Sequence, residues 1–257
     1  MKNHSRSRIV AIIPARYNSV RFPGKPLKQI LGKSLIQHTY ENTARCGSID
    51  RILIATDDRR ICDHVVGFGA EAVMTGEFPS GTDRIASVVA SDPSLQAAEV
   101  IINVQGDEPC LPPDTLEELV TSLQNDPHAA MATIAVRFGP EEDISNPADV
   151  KCLFDLDGDA LYFSRSPIPG NKTGKTSPNL TYYKHLGVYA FRPQFLLLYP
   201  TLPATPLQMA EDLEQLKVLE HGHRIKIVVG SSDSPGVNLP EDLKKVEQQL
   251  CKQNSSL

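Results

Sequence analysis

The chain has no tryptophan among its 257 residues, which rules out any binding platform built on indole stacking. Cysteine is sparse and unpaired in pattern: Cys46, Cys62, Cys110, Cys152 and Cys251 are five in number, scattered, and contain no Cys-x-x-Cys. Such spacing argues against a disulfide framework or a zinc ribbon and predicts reduced, mostly structural thiols in a cytoplasmic protein. Long apolar runs are missing too. The first such run is short and broken by Pro14 and Arg16, so the basic opening MKNHSRSR reads as neither a secretory signal nor a spanning segment, and no membrane insertion is expected. Positive charge is not in excess: a net charge of −5 excludes a surface that coats nucleic acid and makes any basic cluster a local site.

What the chain does have is an ordinary globular composition, 40% hydrophobic and 22% charged, organised around Ile9 to Pro26, IVAIIPARYNSVRFPGKP. Ile9-Val10-Ala11-Ile12-Ile13 has the length and β-branched content of a strand buried on both faces. Pro14, with no N–H to donate, is expected to end the ladder. The loop beyond carries Arg16, Arg21 and Lys25 around a Pro23-Gly24 turn, a candidate anion cradle at the carboxyl edge of a sheet. A solvated basic loop is the competing reading. The loop has neither the Gly-x-x-x-x-Gly-Lys-Ser/Thr spacing of a P-loop nor the Gly-x-Gly-x-x-Gly of a dinucleotide site, so it holds phosphate, if it does, in another way.

Along the chain, apolar runs at 51–55, 71–74, 100–104 and 129–136 alternate with helical stretches. The helices are expected from a Ser34 cap to Cys46 with Gly47 ending it, over 59–66, from Thr82 or Asp83 to Ala90, and over 115–124 behind an Asp114 cap. This alternation predicts an α/β fold: one mostly parallel sheet with helices on both faces and its ligand crevice at the strands' carboxyl ends. From Val150 the pattern shifts to shorter strands at 150–155, 160–163 and 182–190, with a Pro/Gly/Ser/Lys-rich loop or lid at 166–179. A helix over 207–219 is expected to bury Met209, Leu213 and Leu216, followed by a strand at 225–229 and a helix over 240–250. One domain is expected over 1–257: a nucleotide-binding part (1–136), a sugar-binding and dimerisation subregion (137–223), and a return to the main sheet (224–257).

Eight segments, in order, carry a resemblance: IIPARYNSVRFPGKPL, ATDD (55–58), SGTDR (80–84), NVQGDEP (103–109), ALYFSRSPIP (160–169), KHLGVYAF (184–191), LEQLKVL (213–219) and GVNLPEDL (236–243). Together they resemble the sugar-activating nucleotidyltransferases, and among these most closely the 3-deoxy-manno-octulosonate (Kdo) cytidylyltransferases. The resemblance spans nearly the whole chain. It implies a glycosyltransferase-A-like (Rossmann-like) fold, a homodimer through the 150–190 region, and the reaction CTP + Kdo → CMP-Kdo + pyrophosphate, which serves bacterial lipopolysaccharide biosynthesis. A related sugar or sialate nucleotidyltransferase and a non-catalytic nucleotide-binding module are the alternatives.

Residue chemistry and resemblance together place the site. Asp107 follows a buried strand through Gln105-Gly106, where the glycine allows close backbone approach, and a carboxylate there suits Mg²⁺, which uses one or two protein carboxylates plus substrate phosphates. A turn-capping Asp is the competing reading. The resemblance makes Asp107 the principal metal ligand, Gln105 a nucleotide contact, and Ala15, Arg16, Arg21, Lys25, Ser80, Gly81 and Thr82 the rest of the nucleotide site. Lys25, Arg16 and Asp107 are the expected catalytic set, with Lys25 neutralising charge at the α-phosphate. Arg84, Arg165, His185, Tyr189, Glu214 and Gln215 match sugar-acid positions. Arg84 also reads as an exposed residue behind a helix cap, and a lone strand histidine is more often structural. Asn238 stands where the family has its second metal-binding Asp; its carbonyl oxygen can bind Mg²⁺ but brings no charge. Glu241 and Asp242 read as helix first-turn charges.

Overall fold

A computed structural model describes residues 8–18, 22–172, 176–177, 180–231 and 234–255. Arg21 and part of the 166–179 connection therefore lie outside the described residues. In chain order the strands are β1 (Ile9–Ala15), β2 (Gln29–Ile30), β3 (Lys33–Ser34), β4 (Arg51–Thr56), β5 (Glu71–Met74), β6 (Val100–Asn103), β7 (Met131–Arg137), β8 (Lys151–Phe154), β9 (Ala160–Ser164), β10 (Tyr183–Phe191) and β11 (Ile225–Val229). The helices are α1 (Leu35–Thr43), α2 (Arg59–Gly67), α3 (Gly81–Ser91), α4 (Pro93–Gln96), α5 (Pro113–Asn125), α6 (Pro193–Leu198), α7 (Pro206–Glu211), α8 (Glu214–Glu220) and α9 (Asp242–Ser255). The main sheet runs β11-β7-β10-β6-β1-β4-β5, with β8 and β9 branching from β10, while β2 and β3 pair separately. Every strand on the main path except β10 points the same way. The expected mixed α/β sheet is present.

β1 lies inside this sheet because both of its faces are apolar. Ile9, Ala11, Ile13 and Ala15 join the core cluster under α1, α2 and α5. Val10 and Ile12 join the opposite cluster under α3, α6 and α8. Full burial of an Ile or Val side chain is worth roughly 1.5–3 kcal/mol, so side-chain packing on two faces fixes the strand's central place. A third cluster brings Phe22, Leu35, Cys110 and Val237 against Val246 and Leu250 of α9, which ties the C-terminal helix to the loop after β1. β11 pairs in parallel with β7, so the last strand does return to the main sheet.

Several boundaries differ from expectation for identifiable reasons. The ladder does not stop at Pro14: Pro14 pairs with Ala55 and Ala15 with Thr56. Val104 N donates to Ile12 O on the β6 side and Asp50 N to Ile9 O on the β4 side. Groups of even-numbered residues thus face β6, where pairing ends at Ile12–Asn103, and the N–H that proline lacks is missed by no partner. Ser34 caps α1 as expected, accepting from Gln37 N, but the helix ends at Thr43. Gly47 instead donates its N–H to Glu117 Oε1 at 3.0 Å. α3 starts earlier than expected, because Ser80 is its cap and accepts from Asp83 N. In α5, Asp114 sits inside the first turn behind Pro112. The helix expected over 207–219 is two helices, broken at Asp212 with φ 51°. That break leaves Met209 67% exposed rather than in the core.

Candidate active site

The carboxyl ends of β1 and β6 and the N-terminus of α3 converge on a cleft of about 170 Å³. Its wall holds Ala15, Arg16, Lys25, Ser80, Gly81, Arg84, Gln105 and Asp107, eight of the predicted site residues, drawn from three separate stretches of sequence. Pro14, Phe78 and Pro79 supply apolar wall suited to the face of a flat ring, and sequence reasoning had not singled them out. The Ser80 hydroxyl caps α3, so the N–H groups of the helix's first turn open toward the same space, a favourable setting for an anion.

Lys25 is aimed by the turn before it. Gly24 adopts φ 68° and its N–H donates to Tyr17 O at 2.8 Å. A Cβ at this position would stand 3.1 Å from the Tyr17 ring, so both conformation and space call for glycine. The Lys25 ammonium donates to Asp107 Oδ2 at 2.5 Å and to Val237 O at 2.7 Å. Gly106 allows a close approach, but to protein: a Cβ there would lie 3.0 Å from Pro14 O and 3.2 Å from Ile36 Cδ1. The loop carrying Asn238 is stitched to the same place, since Val237 N donates to Asp107 O at 2.9 Å. Asn238 itself is exposed beside it, with its backbone N held by Asp242 Oδ2 at 2.9 Å. Asp242 thus orders this loop, in keeping with a first-turn charge of α9. A carboxylate and a carbonyl converge on an ammonium at Asp107, a hard oxygen donor set that fits Mg²⁺ with substrate phosphates completing its shell. Among the described residues no group of three or more His, Cys, Asp or Glu side chains could hold a metal by itself.

Two predicted residues reach the cleft differently from expectation. Arg84 lines it but is 3% exposed, and its guanidinium is committed to Asp57 Oδ2 at 2.8 Å, Thr75 Oγ1 at 2.5 Å and Gly76 O at 3.3 Å. It ties α3 to the end of β4 rather than offering a free fork, and Asp57 of ATDD is its counter-ion. Thr82 lies behind the wall, fully buried, where Asn103 Nδ2 donates to its hydroxyl at 3.3 Å. Asn103 also accepts from Gln105 Nε2 at 3.3 Å. This wholly buried asparagine at the end of an apolar strand links the cleft wall to the layer beneath it, and its polarity inside VIIN was the available signal.

The other expected sugar-acid residues, apart from Arg84, separate into two groups. His185, Tyr189, Glu214 and Gln215 come together between β10 and α8. Thr133 Oγ1 lies 2.9 Å from His185 Nε2 and donates to Val188 O at 2.8 Å, so the imidazole satisfies the hydroxyl with a proton on Nε2. Phe163 and Tyr189 enclose the ring, and burial pushes its pKa down to about 3, leaving it neutral near pH 7. Tyr189 OH donates to Gln215 Oε1 at 3.4 Å. Burial pushes the Glu214 carboxyl above its ordinary range, while the hydroxyls of Thr82 and Ser80 pull the other way. Glu214 Oε2 and Gln215 Nε2 are buried without a hydrogen-bond partner. The pocket they share with Thr82, Tyr189 and Tyr199 has no volume for a water molecule.

Arg165 stands apart from this group. It closes β9, but its Nε donates to Glu211 O at 2.6 Å, and its Nη atoms to Pro147 O at 3.0 Å and Asp212 O at 3.1 Å. The Glu211 and Asp212 carbonyls are those freed where the helical stretch breaks at Asp212, so its fork is spent on protein.

Comparison with known proteins then decides the family. A cytidylyltransferase family model matches residues 10–225. The chain belongs to the cytidylyltransferase family. It is 52% identical to the 3-deoxy-manno-octulosonate cytidylyltransferase of Protochlamydia amoebophila, covering 97% of this chain and 96% of the relative. Identity to the enzyme of that name from Chlamydia trachomatis serovar L2 is 48%, over 95% of this chain and 94% of the relative. The mitochondrial enzyme of that name in Arabidopsis thaliana is 44% identical, over 98% and 86%. A solved CMP:2-keto-3-deoxy-manno-octonic acid synthetase complexed with CTP superposes with a TM-score of 0.89 at 38% identity, covering 96% of this chain and all of that one. A 4-diphosphocytidyl-2C-methyl-D-erythritol synthase superposes at 0.64 with 16% identity and shares the fold.

Proposed function

We propose that this cytidylyltransferase joins CTP and Kdo to give CMP-Kdo and pyrophosphate, the activating step that supplies sugar for lipopolysaccharide. The observation that carries this reading is the meeting of Arg16, Lys25, Ser80, Gln105 and Asp107 on one cleft, in a chain 52% identical to an enzyme named for this reaction. The base fits between Pro14, Phe78 and Pro79, with Gln105 and Ser80 offering both donors and acceptors to its edge. Arg16 and Lys25 face the triphosphate. Kdo's hydroxyl attacks the α-phosphate in line and pyrophosphate leaves, chemistry that needs mostly positioning and charge neutralisation. Lys25 turns its ammonium from Asp107 to the phosphate oxygens when the nucleotide binds, and neutralises the charge that builds there during the reaction. Asp107, with Asn238 beside it, would hold Mg²⁺, which when bound supplies Lewis-acid neutralisation of phosphate charge and acidifies the attacking hydroxyl. Tyr189, Glu214 and Gln215 would turn polar atoms toward the sugar's hydroxyls once their pocket opens, with His185 packed beside Tyr189.

Pyrophosphate release measured over a matrix of nucleotides and sugar acids tests this. Turnover should be fastest with CTP and Kdo; faster turnover with a sialic acid, or CTP binding without turnover at any Mg²⁺ concentration, would overturn it. Cytoplasmic residence and a homodimer belong to the same proposal. No helix among the described residues is long and apolar enough to cross a membrane. Leu156 and Leu161 are exposed on the β8–β9 hairpin, whose outer strand β9 pairs, among the described residues, with β8 alone in the sheet, an edge that a second copy would cover. Sedimentation at micromolar concentration should give the mass of a dimer.

A further inference from the structure

Lys25 occupies a position that chemistry would assign to a metal. Its ammonium is held between a carboxylate oxygen, Asp107 Oδ2 at 2.5 Å, and a carbonyl oxygen, Val237 O at 2.7 Å. The two elements that carry these oxygens are themselves joined by Val237 N and Asp107 O. The Lys25 side chain is 15% exposed and that of Asp107 28%, so the pair is partly withdrawn from solvent and only partly screened. A hard dication seeking Asp107 meets a cation already there, at contact distance from the same oxygens.

Resting on the Mg²⁺ assignment above, we propose that Lys25 is the resident counter-cation of Asp107, which keeps divalent metal out of the ligand-free protein until a polyphosphate draws the ammonium away. Two positive charges cannot share one carboxylate oxygen at this spacing without strong repulsion. A nucleotide triphosphate resolves the conflict, because it brings new anionic partners for Lys25 and further oxygen ligands for the metal in one molecule. Metal and nucleotide therefore bind interdependently, each raising the affinity of the other by the same factor. Lys25 has two successive tasks: it holds the Asp107 and Val237 loops together in the empty protein, then binds phosphate in the loaded one.

The test uses Mn²⁺ as probe, its free concentration read by electron paramagnetic resonance, on the full-length protein without nucleotide. The wild type should bind Mn²⁺ at this site at least about tenfold more weakly than Lys25→Met, which removes the competing charge but keeps much of the side chain's bulk. Lys25→Arg, which keeps the charge, should stay as weak as wild type. The gain in Lys25→Met should vanish in the double variant with Asp107→Asn, and circular dichroism would show that each variant is folded. Equal Mn²⁺ affinity in wild type and Lys25→Met overturns the proposal, whether both bind tightly or neither binds. The metal assignment is tested separately, by Mn²⁺ binding to wild type with CTP present. If Asp107→Asn leaves that binding unchanged, it is the Mg²⁺ site, rather than its exclusion by Lys25, that fails.

Discussion

Arg165 grips Glu211 from both sides: its backbone N donates to Glu211 Oε2 at 2.9 Å and its Nε to Glu211 O at 2.6 Å. With Pro147 O and Asp212 O also taken, the guanidinium spans the end of β9, the turn before β8 and the break between α7 and α8. Glu214 and Gln215 begin two residues beyond that break. Arg165 thus positions the start of the helix that carries these groups, and under the proposed function it acts on sugar binding through them. Arg165→Lys keeps the charge and loses the fork, giving up at least one of these hydrogen bonds, worth about 1 kcal/mol each. In a chain of this size that lowers Tm by about 2–4 °C per kcal/mol. The expected result is a lower Tm together with a raised KM for Kdo and an unchanged KM for CTP. A large rise in the Kdo KM with no change in Tm would instead make Arg165 a direct substrate ligand.

Glu214 gives a pH-dependent prediction. Its carboxyl is raised above the ordinary range, chiefly by burial. Between the unfolded value near 4.3 and the higher folded one, the native protein binds a proton that the unfolded chain releases, so stability falls as pH rises through that window. Above the folded value the full penalty of a buried charge is present. Glu214→Gln removes it. Thermal melts at pH 5 and pH 8 should show the variant gaining on the wild type as pH rises, while turnover of Kdo drops at least about tenfold because a buried polar partner is lost. If the variant instead loses ground to the wild type at pH 8, Glu214 is a stabilising ion and the orphaned oxygen is not held for a ligand.

Local chemistry was legible in the sequence where it depends on neighbours in the chain. The two-sided burial of β1, the Ser34 cap and the glycine turn before Lys25 each follow from residues a few positions apart. The cleft was legible too, because strand-then-polar-loop segments in parallel α/β sheets end at one edge. What escaped depends on partners distant in sequence. Nothing near Arg84 announces Asp57 as its ion pair, so this internal tie lies outside both sequence readings, a fork for a ligand and an exposed arginine behind the cap. The break at Asp212 was hidden because 207–219 is an unbroken helical pattern. There Glu220 takes the α7 N-terminus, accepting from Leu207 N at 3.1 Å and Gln208 N at 3.0 Å, while Arg165 takes the carbonyls beyond its end. Two short helices replace one, and Met209 turns outward.

Lys25→Ala tests whether this lysine serves chemistry more than affinity. Its ammonium is part of the cleft wall and is already engaged with Asp107, so grip on the triphosphate costs it a partner while transition-state charge repays it fully. Losing one such donor costs about 3 kcal/mol in the transition state, a rate loss on the order of a hundredfold or more. Turnover should fall by that amount, with the Kd for CTP changing severalfold at most. Equal losses in kcat and in CTP affinity would make Lys25 a ground-state binder.

Asn238 stands where the resemblance implies a second metal-binding Asp, and its loop is bonded to that of Asp107. Val237, one residue earlier, donates to Asp107 O and accepts from Lys25, so the loop that bears Asn238 cannot drift from the carboxylate. Asp242 holds the backbone N–H groups of Asn238 and Leu239, fixing the loop's shape from the other side. A neutral carbonyl oxygen attracts Mg²⁺ less than a carboxylate does, and this ion sheds water reluctantly. Asn238→Asp should therefore lower the half-saturating Mg²⁺ concentration for turnover, and Asp107→Asn should be nearly inactive because no carboxylate would remain at the metal. The bonds that Asp242 makes to the backbone N–H groups of residues 238 and 239 do not depend on the side chain at 238. Initial rates measured across a Mg²⁺ titration separate the possibilities: an unchanged half-saturation point in Asn238→Asp would mean that residue 238 never meets the ion, leaving Asp107 as the one protein ligand.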